Sequence, residues 1–164
     1  ETGLSIIAEH LSNLDVKSIN LLRSKLRVGI MWDTEVTVGK STNNSSLTPN
    51  TTPQTSSLVS QVYCSAVPVS YSSEPASAWE PFARLILEAT YEATLNAAVL
   101  NKSRNGSNIL FLTMIGGGAF GNQPEWIVDA IRRALQLHED SGLDVRMVSH
   151  RHPNPMLDFL GSEF

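Results

Sequence analysis

From Leu110 to Ile131 the chain reads LFLTMIGGGAFGNQPEWIVDAI, and four glycines (Gly116, Gly117, Gly118 and Gly121) fall within six residues. The run before them, Ile109 to Ile115, is short and continuously apolar, which fits a strand buried on both faces. The segment after them, Pro124 to Glu139, places Trp126, Ile127, Ala130, Ile131, Ala134, Leu135 and His138 on one helical face. A glycine loop leaving a strand and opening a helix belongs at the carboxyl edge of a parallel sheet, where α/β folds bind ligands. That local order limits the chain to the strand–crossover–strand architectures.

The remaining pattern agrees. Leu4, Ile7, Ala8, Leu11 and Leu14 recur at helical spacing, and a second short helix is expected from Val16 to Leu22. LRVGIMWDTEV and LVSQVYCSAVPVSY have strand character, the latter ending near Pro68. The longest helix runs from Ser77 to Asn101, with Trp79, Phe82, Ala83, Ile86, Leu87, Tyr91, Thr94, Leu95, Ala98 and Val99 on its apolar face. Gly142 is the expected C′ residue of the next helix, and Leu143 to Ser149 forms a final strand. Residues 39–57 read GKSTNNSSLTPNTTPQTSS and bury too little apolar surface to offset their ordering entropy, so a long mobile surface loop is expected. Strand, long helix, strand, helix, strand implies crossovers. The expected fold is α/β in three layers, a mostly parallel mixed sheet with helices on both faces.

Composition narrows the function. At a formal net charge of −4 there is no electrostatic footprint for nucleic acid. No apolar stretch reaches the roughly 18–20 residues of a membrane span, and ETGLSIIAEHL lacks the features of a signal peptide. The single Cys64 sits in an apolar run and reads as a buried, inert thiol, which suits a reducing, cytoplasmic compartment. The sequons at Asn43, Asn44, Asn50, Asn101 and Asn105 read as a consequence of composition. His10, His138, His150 and His152 lack metal-ligand spacing, so no metal site is expected. Glu88 and Glu92, at i,i+4 on the long helix, read as solvated.

The glycines permit positive φ and let backbone N–H groups meet a ligand without a Cβ between them. Asn122 reads as an N-cap with Glu125 completing a capping box, and Pro124 fits the first helical turn. Free donors beside a helix start suit a phosphate or diphosphate. No Lys-Ser or Lys-Thr follows, so the loop is not a P-loop. Gly116-x-Gly118-x-x-Gly121 formally matches the dinucleotide fingerprint. However, the loop is late in the chain, and the candidate ribose-binding acid, Asp144, begins the next strand instead of ending it. The ring of Phe120 is out of place in a loop built for bare backbone and suits the face of a ribose or base.

GGGAFGN after a strand and before a helix resembles the second phosphate loop of macro domains, particularly the poly(ADP-ribose) glycohydrolase-like branch. The resemblance runs from about Leu26 to Asn154 and is specific in the glycine loop. It implies that Gly116, Gly117, Gly118, Ala119, Phe120, Gly121 and Asn122 hold the diphosphate and distal ribose of ADP-ribose. It further implies that the edge formed by VRMVSH and the residues after it, with Ser149, His150 and Asn154, contacts adenine. No cofactor is implied. The expected partner is ADP-ribose or an ADP-ribosylated protein, with neither nucleic acid nor membrane; oligomeric state has no signature.

Macro domains begin with strands and an Asn-containing first loop, whereas this chain begins with a helix pattern. The expectation is therefore a single macro-like domain over residues 1–164, lacking its N-terminal part. Asp33 and Glu35, two apart at the end of a strand, face one side and are the candidate acids for cleaving a glycosidic bond. Three readings follow: an ADP-ribosyl glycohydrolase, a non-catalytic ADP-ribose reader, and a Rossmann-type NAD-dependent oxidoreductase.

Overall fold

The structure, a computed structural model, describes residues 3–36, 57–149 and 155–157. The polar segment expected as a loop at 39–57 lies, apart from Ser57, outside these residues, as do His150 and Asn154. Helices α1 (Gly3–Ser12) and α2 (Val16–Arg23) precede strand β1 (Gly29–Glu35). Strand β2 (Leu58–Tyr63), a short 3-10 turn (Val69–Tyr71) and the 30-residue helix α3 (Ala76–Asn105) follow. Strand β3 (Ile109–Leu112), helix α4 (Pro124–Leu137) and strand β4 (Asp144–Met147) complete the order.

Local chemistry accounts for the boundaries. Asp15 accepts the Ser18 N–H at 2.8 Å and caps α2. Gly106 ends α3 in the left-handed conformation, its N–H returning to the Lys102 carbonyl. Gly142 ends the turn after α4 in the same way.

The core is a helix–helix seam. Ala83, Leu87, Tyr91 and Leu95 of α3 meet Trp126, Ile127, Ala130, Ile131, Ala134 and Leu135 of α4. Each large apolar side chain buried there contributes about 1.5–3 kcal/mol relative to exposure. Helices α1 and α2 also pack on α3, where Arg23 pairs with Glu88. Arg133 holds Glu92 at 2.8 Å. Glu88 and Glu92 are therefore half-buried, ion-paired residues and not the solvated pair that the helical spacing predicts.

The three-layer, mostly parallel sheet expected from the alternation is not what forms. The strands make two separate two-stranded sheets, β1–β2 antiparallel and β3–β4 parallel. Nor is β3 buried on both faces. Leu110 and Leu112 turn to the helical core, while Ile109 and Phe111 are 43% and 63% exposed. β2 and β3 face each other across a cleft of about 360 Å3, floored by Thr94, Ala97, Ala98 and Asn101 of α3. Beyond Leu112, the edge of β3 that faces away from β4 is occupied by a side chain of α3 instead of a strand, as described below.

Among the described residues no helix is long and apolar enough to cross a membrane. The Cys64 thiol is half-buried on the cleft wall, and burial pushes its pKa up against an opposing contact with Thr94.

Candidate functional site

The glycine loop begins where β3 stops. The Ile115 N–H bonds back to the Thr113 carbonyl, and the Gly117 N–H to the Met114 carbonyl. Gly116 then takes φ 80° and Gly121 φ 68°, both left-handed. These two glycines are also fixed by packing. A Cβ on Gly116 would lie 2.5 Å from the Ala66 Cβ, and one on Gly121 2.8 Å from the Ser70 Cβ. A Cβ on Gly117 would stand 3.2 Å from the tip of Ile127. Gly118 differs from all three in that a Cβ there would meet nothing within 4 Å, and its φ, like that of Gly117, is not positive. Neither backbone strain nor packing demands glycine at 118, so its bare backbone faces open space.

Asn122 closes the loop. Its N–H bonds to the Gly116 carbonyl at 3.0 Å. Its Nδ2 donates to the Val67 carbonyl at 2.8 Å and to the Gly116 carbonyl at 3.3 Å. The residue is only 3% exposed, and its Oδ1 has no partner among the described residues. Asn122 is thus a buried staple between the loop and the segment after β2. It is not the N-cap of α4; Gln123 holds that position, without a side-chain cap bond. The amide reaches Val67 because the small Ala66 lets the two segments approach. Pro124 does occupy the first turn of α4, and Glu125 supplies its acidic residue.

A second wall comes from the 3-10 turn Val69–Tyr71. Ser70 donates its N–H to the Phe120 carbonyl at 3.0 Å and its hydroxyl to the Ala119 carbonyl. The Gly121 N–H takes the Gly118 carbonyl at 3.0 Å. The carbonyls of Gly116, Gly118, Ala119 and Phe120 are therefore all used. By contrast, the N–H groups of Gly118, Ala119 and Phe120 have no acceptor among the described residues. The loop thus offers three consecutive donors while four of its carbonyls are engaged within the protein, a polarity that favours an anion. Beside these donors the rings of Tyr71 and Phe120 meet edge to face, centroids 5.7 Å apart, with Tyr71 71% exposed.

Gly116, Gly117, Gly118, Ala119, Phe120, Gly121 and Asn122 thus belong to one constellation, in which Asn122 shapes the loop from beneath. Ser149 is exposed and follows Val148, whose N–H bonds to the Leu112 carbonyl at 2.7 Å, at the same end of β3 as the loop. Asn154 is outside the described residues.

Asp33 and Glu35 lie elsewhere. Asp33 sits in a bulge of β1 at φ 51°, its N–H on the Ser60 hydroxyl and its carboxylate 3.4 Å from Arg104. The Arg104 guanidinium in turn lies 4.6 Å over the Trp32 ring. Arg104 belongs to the last turn of α3, whereas Tyr91 of the same helix touches Thr113 and Ile115 at the loop. At 1.5 Å rise per residue that separates the acids from the loop by roughly 20 Å along the helix. Glu35 is exposed one register step further along the strand, opposite Leu58.

Ser70, Tyr71, Val67 and Tyr91 are site residues that sequence reasoning missed. Their signal is the small-residue and proline segment SAVPVSY, which brings a tight turn against the glycines. Among the described residues no group of His, Cys, Asp and Glu could hold a metal ion. Comparison of the chain with protein-family models, with curated proteins and with solved structures finds no match.

Proposed function

We propose that this chain binds ADP-ribose, free or attached to protein, with its diphosphate on the glycine loop. The observation that carries the reading is the run of three consecutive loop N–H donors. Three consecutive N–H groups, Gly118 to Phe120, lack acceptors among the described residues, while the carbonyls of Gly116, Gly118, Ala119 and Phe120 are engaged. A diphosphate oxygen accepts from such groups at full charge-assisted strength. Gly118, which has no structural reason to be glycine, lets the phosphate reach them. The Tyr71–Phe120 pair supplies an apolar face for the adjoining sugar. The family resemblance of GGGAFGN points to the same ligand, and a cytoplasmic reader of ADP-ribosylation is the corresponding role.

The proposal is binding and not cleavage. A general acid must stand within hydrogen-bond reach of the bond it breaks, and Asp33 and Glu35 lie roughly 20 Å along α3 from the loop. Titration calorimetry with ADP-ribose and with NAD tests the reading. Tighter binding of ADP-ribose is expected. Preference for NAD, or no binding of either, would overturn it.

A further inference from the structure

The buried hydroxyl of Tyr91 stands where a neighbouring strand would be. Tyr91 is fully buried on α3, between the core and the start of the glycine loop. Its hydroxyl donates to the Thr113 carbonyl at 2.8 Å and accepts the Ile115 N–H at 2.9 Å. In a parallel ladder a partner residue bonds the carbonyl before, and the amide after, the residue it faces. The phenol oxygen makes that pair of bonds around Met114. It does so on the edge away from β4. The Val148 N–H takes the Leu112 carbonyl on the β4 side, and polar groups alternate along a strand, so Thr113 and Ile115 point to the opposite edge.

We infer that Tyr91 is a positioning residue for the glycine loop, its hydroxyl substituting for a strand neighbour at the point where β3 becomes loop. A strand in that place would carry the ladder onward and keep residues 113–117 extended. A single hydroxyl bridges one carbonyl and one amide, which also bond each other at 3.0 Å, and then stops, and Gly116 turns immediately after. The entry to the loop is therefore pinned by Tyr91 and its exit by Asn122, which fixes the direction of the three donors between them. Fixed donors bind an anion without first being ordered.

The inference rests on the proposed function for its binding consequence, and its test separates the two. Tyr91→Phe in the full chain keeps the ring and removes only the hydroxyl. Hydrogen exchange of the ligand-free protein should show the amides of Ile115, Gly117 and Asn122 exchanging at least about tenfold faster, with the α4 amides unchanged. ADP-ribose affinity should fall about tenfold, at a temperature where the variant is fully folded. Leu135→Ala, a cavity in α4 away from the loop, is the reference for lost stability alone and should keep wild-type affinity. Wild-type loop exchange in Tyr91→Phe would overturn the inference, as would an equal loss of affinity in Leu135→Ala. If the wild-type protein does not bind ADP-ribose, the proposed function fails, and the exchange comparison still decides the role of Tyr91.

Discussion

Gly118→Ala separates a ligand-facing glycine from a structural one. The added methyl meets no atom within 4 Å, and the backbone there is not left-handed. The fold should tolerate it, and reduced freedom in the unfolded chain should raise stability by about 0.4–1 kcal/mol. Binding should suffer, because the methyl stands over the N–H surface that the phosphate must approach. Loss of one hydrogen bond to a charged group costs about 1.5–3 kcal/mol, roughly ten- to hundredfold in affinity. Gly118→Glu adds a carboxylate about 5 Å from the diphosphate, a repulsion of about 3 kcal/mol at an effective dielectric of about 20. Gly116→Ala is the contrast. Its Cβ would lie 2.5 Å from that of Ala66 in a left-handed backbone, so it should cost about 2–4 kcal/mol of stability. Thermal unfolding and calorimetric titration of the three variants make the assay. A Gly118→Ala protein that binds ADP-ribose as well as wild type would show that position 118 does not face the ligand, and one that unfolds like Gly116→Ala would show that its glycine is structural.

Three further outcomes are expected. Phe120 is partly buried against the core, so Phe120→Ala should cost about 1–3 kcal/mol of stability and weaken ADP-ribose binding about fivefold in the folded protein, as thermal melts and calorimetry would show. Asn122→Ala leaves the buried Val67 carbonyl without its donor and should cost about 2 kcal/mol, lowering Tm by about 4–8 °C in a scanning calorimeter. Burial raises the pKa of Cys64 in the folded state, so the fold favours the neutral thiol. Stability should hold up to about pH 8.5 and fall as pH rises through the folded value, and denaturant titrations of Cys64→Ala should show a shallower decline.

The helices are the most legible part of the chain. The apolar period of α3 and α4 is local, and their seam follows from it. The glycines of the loop look equivalent in sequence because a one-letter code carries neither φ nor neighbours. Only the approach of Ala66, Ser70 and Ile127 sorts Gly116, Gly121 and Gly117 from Gly118. Asn122 satisfies every local rule for an N-cap. Its amide is drawn instead to a carbonyl 55 positions earlier, a partner no local pattern names. Glu88 and Glu92 likewise find their arginines 65 and 41 positions away. The sheet is where the periodicity misleads most. Apolar runs predict strands, but whether two of them pair depends on what stands between them, and between β2 and β3 that is a cleft floored by α3. An aromatic at helical spacing reads as core, and Tyr91 is core in its ring while its oxygen does the work of a strand.

The central claim is that Gly118, Ala119 and Phe120 offer their N–H groups to a diphosphate. Amide chemical shifts during titration of the 15N-labelled protein with ADP-ribose test it most directly. The largest shifts should fall on those three amides, with smaller ones at Ser70 and Tyr71 and none around Asp33 and Arg104. Saturable shifts centred on the Asp33 end of α3, or no loop shifts at saturating ADP-ribose, would contradict it.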